Sequence, residues 1–338
     1  MVAGPCSAES PEQLLNTAMQ LKEAGIVDYF RAGIWKPRTR PGGFEGAGNK
    51  ALQWLKDVKQ VTGLKVAVEV ATPVHLEECL KNDIDMVWIG ARTGVNPFSV
   101  DEIAKALKGV NIPVMIKNPV NPDINLWAGV IERIINAGIS EIYAVHRGFN
   151  TYEKSAFRNA PLWEIPIELK RRMPNLPVIC DPSHIAGSRE LISQICQQAI
   201  DLDMNGFMIE THYQPDKALT DSKQQITPAA LIDLWSKLEF KTQFAKHKSK
   251  TEKIESLRKE IDEIDYQIIN MLAQRMDVVK EIGQLKKQEK ITILQIKRWN
   301  NIFEDRLNLG FKLGIDRDFL KKLLEALHQE SIKIQSKE

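Results

Sequence analysis

Short apolar runs alternate with amphipathic stretches along the first two-thirds of the chain, and the two follow different periods. The runs at Val2 to Cys6, Asp28 to Gly33, Lys65 to Val70, Met86 to Gly90, Pro113 to Lys117, Glu141 to His146, Pro177 to Asp181 and Gly206 to Thr211 have the length and β-branched content of buried strands. Between them apolar residues recur at helical spacing, as in Leu14, Leu15, Ala18 and Leu21 before Gly25, or Leu191, Ile192, Ile195 and Ile200. Eight such alternations predict an α/β architecture, a (β/α)8 barrel over residues 1 to 240. A doubly wound open sheet would reverse its strand order around five or six strands and open on a Gly-rich turn. The first turn here, GPCSAES, lacks that fingerprint.

After Trp235 the pattern changes. KTQFAKHKSKTEK, Lys241 to Lys253, is polar and basic with no apolar face, and residues 241 to 251 read as a linker whose charge serves solvation rather than nucleic-acid binding. From Glu255 the spacing of Leu257, Ile261, Ile264, Ile268, Leu272, Met276, Val279, Ile282 and Leu285 predicts one helix longer than about 30 residues. Two more helices are expected at Leu294 to Leu309 and Asp316 to Gln335, punctuated by Gly310 and Gly314. Residues 252 to 338 therefore read as a small all-helical domain. So long a first helix cannot be buried by so short a domain, and a homodimer is the expected remedy.

Composition narrows the class. A net charge of +2 supplies no field for nucleic acid or an acidic membrane surface, and no apolar run approaches the ~20 residues of a membrane span. The opening MVAGPCSAES lacks a basic n-region and a long apolar core, so the cytoplasm is expected. Cys6, Cys79, Cys180 and Cys196 are too few for a disulfide framework in a chain of this length and suit a reducing compartment.

Barrel chemistry is assembled at the carboxyl ends of the strands. The residues standing there are Cys6, Arg31 with Lys36 and Arg38, Glu69, Arg92, Lys117, Arg147, His184, and finally Glu210 with a polar loop carrying His212 and Asp221. Any one alone is ordinary: a buried Cys usually packs, and a loop Arg usually faces water. Together they form two sets. Cys6, His184, Glu210 and Asp221 are a mixed soft and hard donor set suited to one divalent transition metal, Mn, Fe, Co or Zn, rather than Mg or Ca. Arg31, Lys36, Arg38, Arg92, Lys117 and Arg147 are cations whose mutual repulsion calls for bound anions, such as two phosphorylated or carboxylated small molecules.

GPCSAES, FRAGIWKPRTRP at 30 to 41, IGAR at 89 to 92, DPSHIAG at 181 to 187 and IETHYQPDKALTDSKQ at 209 to 224 resemble the type I 3-deoxy-D-arabino-heptulosonate 7-phosphate synthases, in their smaller, beta-like branch. The resemblance covers roughly residues 1 to 240. It implies that Cys6, His184, Glu210 and Asp221 hold the metal. It also implies that Arg31, Lys36, Arg92, Lys117 and Arg147 gather phosphoenolpyruvate, and that Arg38 and Thr39 receive erythrose 4-phosphate. Lys36 and Glu69 are the implied catalytic groups, with the acceptor of the attacking water's proton open between Glu69 and the metal shell. The octulosonate 8-phosphate synthases, which use arabinose 5-phosphate, are the nearest alternative. They typically carry KANRS where this chain has Lys36, Pro37, Arg38 and Thr39, so the four-carbon sugar is expected.

On the long helix, Arg275 and Lys286 fall within roughly 20° of each other while Arg258 is turned about 100° away. Ser331 and Gln335 share a face of the last helix. ESLRKEIDEIDYQIINMLAQRMDVVKEIGQLKK resembles the first helix of the all-helical chorismate mutases. That resemblance implies that Arg275, Arg298 and Ser331, with Arg258 of a second protomer, bind the carboxylates of chorismate, and that Lys286 and Gln335 face its breaking ether oxygen. Two positions depart from the family's pattern: Gln295 stands where Asp is common and Trp299 where Glu is common, at sites that ordinarily hold the substrate hydroxyl. The sequence thus predicts a bifunctional shikimate-pathway enzyme. Because a mutase-like part is fused to a barrel that begins almost at the first residue, the helical part is also expected to sense chorismate or prephenate and to mediate feedback inhibition. The alternative is a helical part that only binds them.

Overall fold

Strands form where the apolar runs stand: β1 (Val2–Gly4), β2 (Tyr29–Ala32), β3 (Lys65–Val70), β4 (Met86–Ile89), β5 (Val114–Lys117), β6 (Ile142–His146), β7 (Val178–Cys180) and β8 (Gly206–Glu210). Each pairs in parallel with its neighbour in the chain, and β8 returns to β1 with Ile209 beside Ala3 and Glu210 beside Gly4, closing the barrel. The computed structural model describes residues 1–36, 42–152, 155–241 and 248–337, in two units, Met1–Gln243 and Phe244–Glu338. Cys6, Gly33, Gly90, Asp181 and Thr211, expected in strands, stand one or two residues past them, where the chain leaves the ladder for a loop.

The strands alternate with helices α1 (Pro11–Ala24), α2 (Lys50–Thr62), α3 (Pro73–Lys81), α4 (Pro97–Leu107), α5 (Ile124–Asn136), α6 (Glu164–Arg172), α7 (Pro182–Ala186), α8 (Ile192–Asp201) and α9 (Pro228–Lys237). Five begin on one device. Ser10, Thr72, Asn96, Asp181 and Thr227 each accept a first-turn backbone N–H ahead of a proline that needs no such partner.

Within the strands, alternate residues face opposite sides. Phe30, Ala32, Val66, Val68, Val87 and Ile89 belong to the apolar shell shared with the helices, whereas Val2, Ala67, Met86, Trp88, Met115, Val145, Ile179 and Met208 form a second cluster inside the barrel. Two residues beyond these interior positions, toward the carboxyl ends, stand Glu69, Gly90, Lys117, Arg147, Asp181 and Glu210. The inward faces are thus dry below and charged above. Gly4 has φ +146, and a Cβ there would come within 2.2 Å of the Arg31 carbonyl oxygen, so only glycine lets β1 lie this close to β2.

The second unit contains α10 (Lys248–Gln288), α11 (Ile296–Lys312) and α12 (Arg317–Lys337). Residues 242–247 of the expected linker lie outside the described residues, and 248–251 are helical. KSKT holds neither Pro nor Gly to stop the long helix from extending toward its amino end. Gly310, expected to punctuate, lies inside α11, because its missing side chain makes room for Leu320: a Cβ would come within 2.1 Å of Leu320 Cδ2. The turn falls instead at Gly314, with φ +76. α12 packs against both other helices, yet Leu257, Ile261, Ile264 and Ile268 of α10 stay about half exposed. Among the described residues, no helix is long and apolar enough to cross a membrane.

Candidate functional site

At the carboxyl mouth of the barrel, one donor atom each from Cys6, Glu210 and Asp221 lies within 4.8 Å of the others. The closing seam makes this meeting, since Cys6 follows β1 and Glu210 ends β8. The Cys6 thiol donates to Asp221 Oδ2 at 3.5 Å, and Lys36 Nζ lies 3.3 Å from the sulfur. Burial, reinforced by Glu210, pushes the Cys6 thiol up to about 12, so at neutral pH it keeps its proton unless another cation takes that place.

His184 lies outside that trio but adjoins it, with Nε2 3.7 Å from Glu210 Oε1. Its Nδ1 is 2.9 Å from Asp181 Oδ1. Burial pushes the Asp181 carboxyl up, but His184 and Lys117 outweigh it and hold it well below the usual carboxylate range. An ionised Asp181 can only accept, so Nδ1 of a neutral His184 carries the proton and the bare Nε2 lone pair faces Glu210. Burial pushes the Glu210 carboxyl up, but His184 and Arg31, whose Nη2 is 3.1 Å away, bring it below its usual range, and Gln224 Nε2 donates to it at 2.7 Å. For Asp221, burial is opposed by Arg158, 3.1 Å away, and by His184, which bring its carboxyl down to about 2.

The expected cations ring the same mouth. Arg31 is fully buried, stacks over Trp88 at 5.0 Å, and its Nε and Nη1 find no acceptor among the described residues. Buried guanidinium donors are costly to leave unpaired, so these two point to an anion. Lys117 Nζ pairs with Asp181 at 2.7 Å. Arg147 donates to Asn159 Oδ1 at 2.9 Å and stays cationic, though burial brings it down to about 10. Arg92, Lys36 and Glu69 line the same cavity, where Glu69 accepts from Trp88 Nε1 at 3.1 Å. Arg38 and Thr39 lie outside the described residues. His212 is buried away from the cluster, its Nδ1 accepting the Gln214 N–H at 2.9 Å. A larger cavity, about 530 Å³, opens at the opposite mouth, lined by Met86, Met115 and Ile179 with Lys22, Asp28 and Lys65, and it holds none of the site residues singled out above.

Several polar residues that build the site were not singled out from sequence. Asp181 had a readable signal, an Asp followed by Pro182 at a helix start. Gln224 closes the motif quoted at 209 to 224 but its contact with Arg158 had no signal, and Arg158 and Asn159 had none, because Asp221, Gln224 and His184 lie on other segments.

In the helical unit, Arg275 donates to Ser331 Oγ at 2.8 Å, and Lys286 to the Ile293 carbonyl at 2.6 Å. Burial, then the charge of Arg298, lowers the Lys286 ammonium. Gln335 faces Gly283, where a Cβ would stand 3.1 Å from its Cα, and its Oε1 is buried without a donor among the described residues. Arg258 does not join them. Seventeen positions earlier, about 25 Å along the helix, it pairs with Glu255 at 2.6 Å. Trp299 stacks on His328 with centroids 3.8 Å apart, and Gln295 precedes α11 without a side-chain capping bond.

Residues 1–246 match the family model described as DAHP synthetase I family, and residues 257–336 match chorismate mutase type II. A phospho-2-dehydro-3-deoxyheptonate aldolase of Thermotoga maritima is 35% identical over 226 residues, 67% of this chain and 64% of that protein, so the chain spans less than two-thirds of that relative's length. A 2-dehydro-3-deoxyphosphooctonate aldolase of Thioalkalivibrio sulfidiphilus is 26% identical, over 65% of this chain and 81% of that one. The crystal structure of the Thermotoga maritima aldolase matches with a TM-score of 0.63 at 33% identity, covering 70% of this chain and 66% of that chain. A truncated form of the 3-deoxy-D-arabino-heptulosonate 7-phosphate synthase from that organism gives 0.60 at 31% identity, covering 70% and 83%.

Proposed function

The chain belongs to the DAHP synthetase I family, and on that premise we propose that its barrel condenses phosphoenolpyruvate with erythrose 4-phosphate, while its helical unit, matching chorismate mutase type II, rearranges chorismate to prephenate. The observation that carries the first half is the meeting, in one mouth, of a sulfur and two carboxylate ligands with the unpaired buried donors of Arg31.

The donor set fits a divalent transition ion. Cys6, Glu210 and Asp221 converge, and the bare Nε2 of His184 faces Glu210 with no proton of its own to offer. When bound, such an ion would polarise the aldehyde carbonyl. The protein's own residues do the rest. Arg31, Lys117 and Arg147 take the phosphate and carboxylate of phosphoenolpyruvate, so its C3 meets the aldehyde carbon in one orientation. Burial disfavours the Lys36 ammonium, but the Cys6 sulfur once its proton is displaced, and the Glu69 and Glu210 carboxylates, favour it, so Lys36 can give a proton to the oxygen that gains charge. Glu69, aimed by Trp88, is the acceptor beside it when water adds at C2 and phosphate leaves. Arg38 and Thr39 are assigned the sugar phosphate.

The test is phosphate release with each aldehyde. Activity with erythrose 4-phosphate that chelator abolishes and manganese restores is expected, and Cys6→Ala should behave like the chelated enzyme. Turnover with arabinose 5-phosphate alone would move the barrel to the octulosonate reaction. Full turnover after exhaustive metal removal would refute the ligand assignment.

In the helical unit, Arg275, Arg298 and Ser331 are assigned the substrate carboxylates and Lys286 and Gln335 the ether oxygen, with Arg258 supplied by a second protomer. The exposed apolar face of α10 supports that dimer. A rearrangement of this kind needs only a folded dianion and donors at the oxygen where charge grows. The Trp299–His328 stack stands where a hydroxyl-binding carboxylate is common, which supports a second reading, a weak mutase serving as a chorismate or prephenate sensor that lowers barrel activity. Equal barrel rates with and without saturating prephenate would remove the sensor. Four free buried cysteines suit a cytoplasmic enzyme.

A further inference from the structure

Arg158 and Asn159 lie between β6 and α6, in the loop that opens with Arg147, and themselves have no role so far, yet between them they touch both sets of groups at the mouth. Arg158 Nη1 donates to Asp221 Oδ1 at 3.1 Å and to Gln224 Oε1 at 2.7 Å. Gln224 passes the contact on, donating to Glu210 Oε2 at 2.7 Å. Asn159 works in both directions: its Nδ2 donates to the His184 carbonyl at 2.6 Å and its Oδ1 accepts from Arg147 at 2.9 Å. One dipeptide therefore reaches three of the four assigned ligands and one of the assigned anion-binding arginines.

The backbone there is fixed from both sides. Arg158 and Asn159 donate their N–H groups to the carbonyls of Ala186 and Ile185, tying the loop to α7, which carries His184. Two glycines make the close approach possible. Gly187, with φ +72, faces Arg158 so closely that a Cβ would stand 2.3 Å from Arg158 Cβ, and Gly148, with φ +75, backs onto Asn159 at 2.9 Å. Phe149 and Ala160 each donate an N–H to the other's carbonyl at 2.8 Å, which brings Ala160 beside the start of the loop. Asn159 is thereby hydrogen-bonded to both His184 and Arg147.

The geometry points to Arg158 and Asn159 as positioning residues that hold the ligand set and link it energetically to Arg147, so that a divalent ion and phosphoenolpyruvate each strengthen the other's binding. Arg158 fixes Asp221 and, through Gln224, Glu210. Asn159 carries the link, because it is hydrogen-bonded to the backbone of one ligand and to the guanidinium of the anion site. Neither residue need touch a reactant. The inference rests on the metal-site reading above.

The experiment measures manganese affinity of the full chain by competition with a fluorescent chelator, with and without saturating phosphoenolpyruvate, which gives a coupling ratio independent of turnover. Outer-shell residues of this kind are worth about 10- to 100-fold in metal affinity, so Arg158→Ala should weaken manganese by about that factor and Arg158→Lys by less. Wild type should show a coupling ratio of roughly 5 or more, and Asn159→Ala should bring it close to 1. Asn159→Asp, which keeps an acceptor for Arg147 but loses the donor to His184, should also lower it. The reciprocal measurement, phosphoenolpyruvate affinity with and without manganese, must return the same ratio. Wild type that binds manganese, alongside folded variants with unchanged affinity and ratio, would overturn this inference alone. Wild type that fails to bind manganese would overturn the metal-site reading and this inference with it.

Discussion

Asp181→Asn is the most informative single substitution, because Asp181 answers a buried cation, caps α7 and orients His184 at once. In wild type its carboxylate lies 2.7 Å from Lys117 Nζ, and both side chains are almost fully removed from water. Asn keeps the shape and a capping oxygen but leaves the Lys117 ammonium uncompensated beside Arg31. Breaking such a pair from one side costs about 3–5 kcal/mol. At about 2–4 °C per kcal/mol for a unit of this size, the barrel transition in scanning calorimetry should fall by roughly 6–20 °C. Adding Lys117→Met removes the stranded charge and supplies apolar volume, and since replacing a whole buried pair is often neutral or stabilising, the double variant should melt well above Asp181→Asn. Phosphate release should be lost in both, because neither holds the His184 tautomer and the double variant also lacks the Lys117 ammonium. A single variant melting within about 2 °C of wild type, or a double variant as unstable as the sum of the singles, would refute the reasoning.

His146 is buried between Phe149 and Trp163, where burial and then Arg147 hold its imidazole down to about 3. The unfolded chain binds that proton near 6.5; the resulting stability is complete above about pH 6.5 and drains as pH falls toward 3, to a loss of about 3 kcal/mol at pH 4.5. His146→Phe should therefore flatten the acid side of the melting-temperature profile, and an identical profile would contradict this. Gly90→Ala would set a Cβ 2.1 Å from Glu69 Oε1, the end of a flexible side chain; melting should barely change while kcat of the condensation falls about 100-fold, and an unchanged kcat would take Glu69 out of the chemistry. Arg275→Ala removes the donor to Ser331 and should slow chorismate disappearance about 100-fold or more; equal rates would leave the helical unit a binding module.

The barrel was legible because its strands are written twice, as apolar runs and as the Ser10-Pro11, Thr72-Pro73 and Thr227-Pro228 starts of the helices that follow. Among the assigned ligands, Cys6 and Glu210 stand where an apolar run stops, whereas His184, inside α7, and Asp221, eleven residues past β8, do not. What sequence could not convey is contact between loops. Nothing around Arg158 or Gln224 announces a neighbour 66 positions away, and the pairing depends on loop paths that no local period encodes. Gly310 misled for a related reason: in sequence a late glycine reads as a stop, but in space it is a notch for Leu320. Arg258 stands apart from the other assigned residues of the helical unit, about 25 Å along the helix from Arg275.

The closing seam between β1 and β8 has a consequence for biosynthesis. Cys6 leaves the ribosome more than 200 positions ahead of its companions Glu210 and Asp221. A stalled or prematurely terminated polypeptide exposes the thiol without a chelate around it. If the proposed ion is held here, only a closed barrel could be charged with it, and fragments that end before Asp221 would lack part of the donor set.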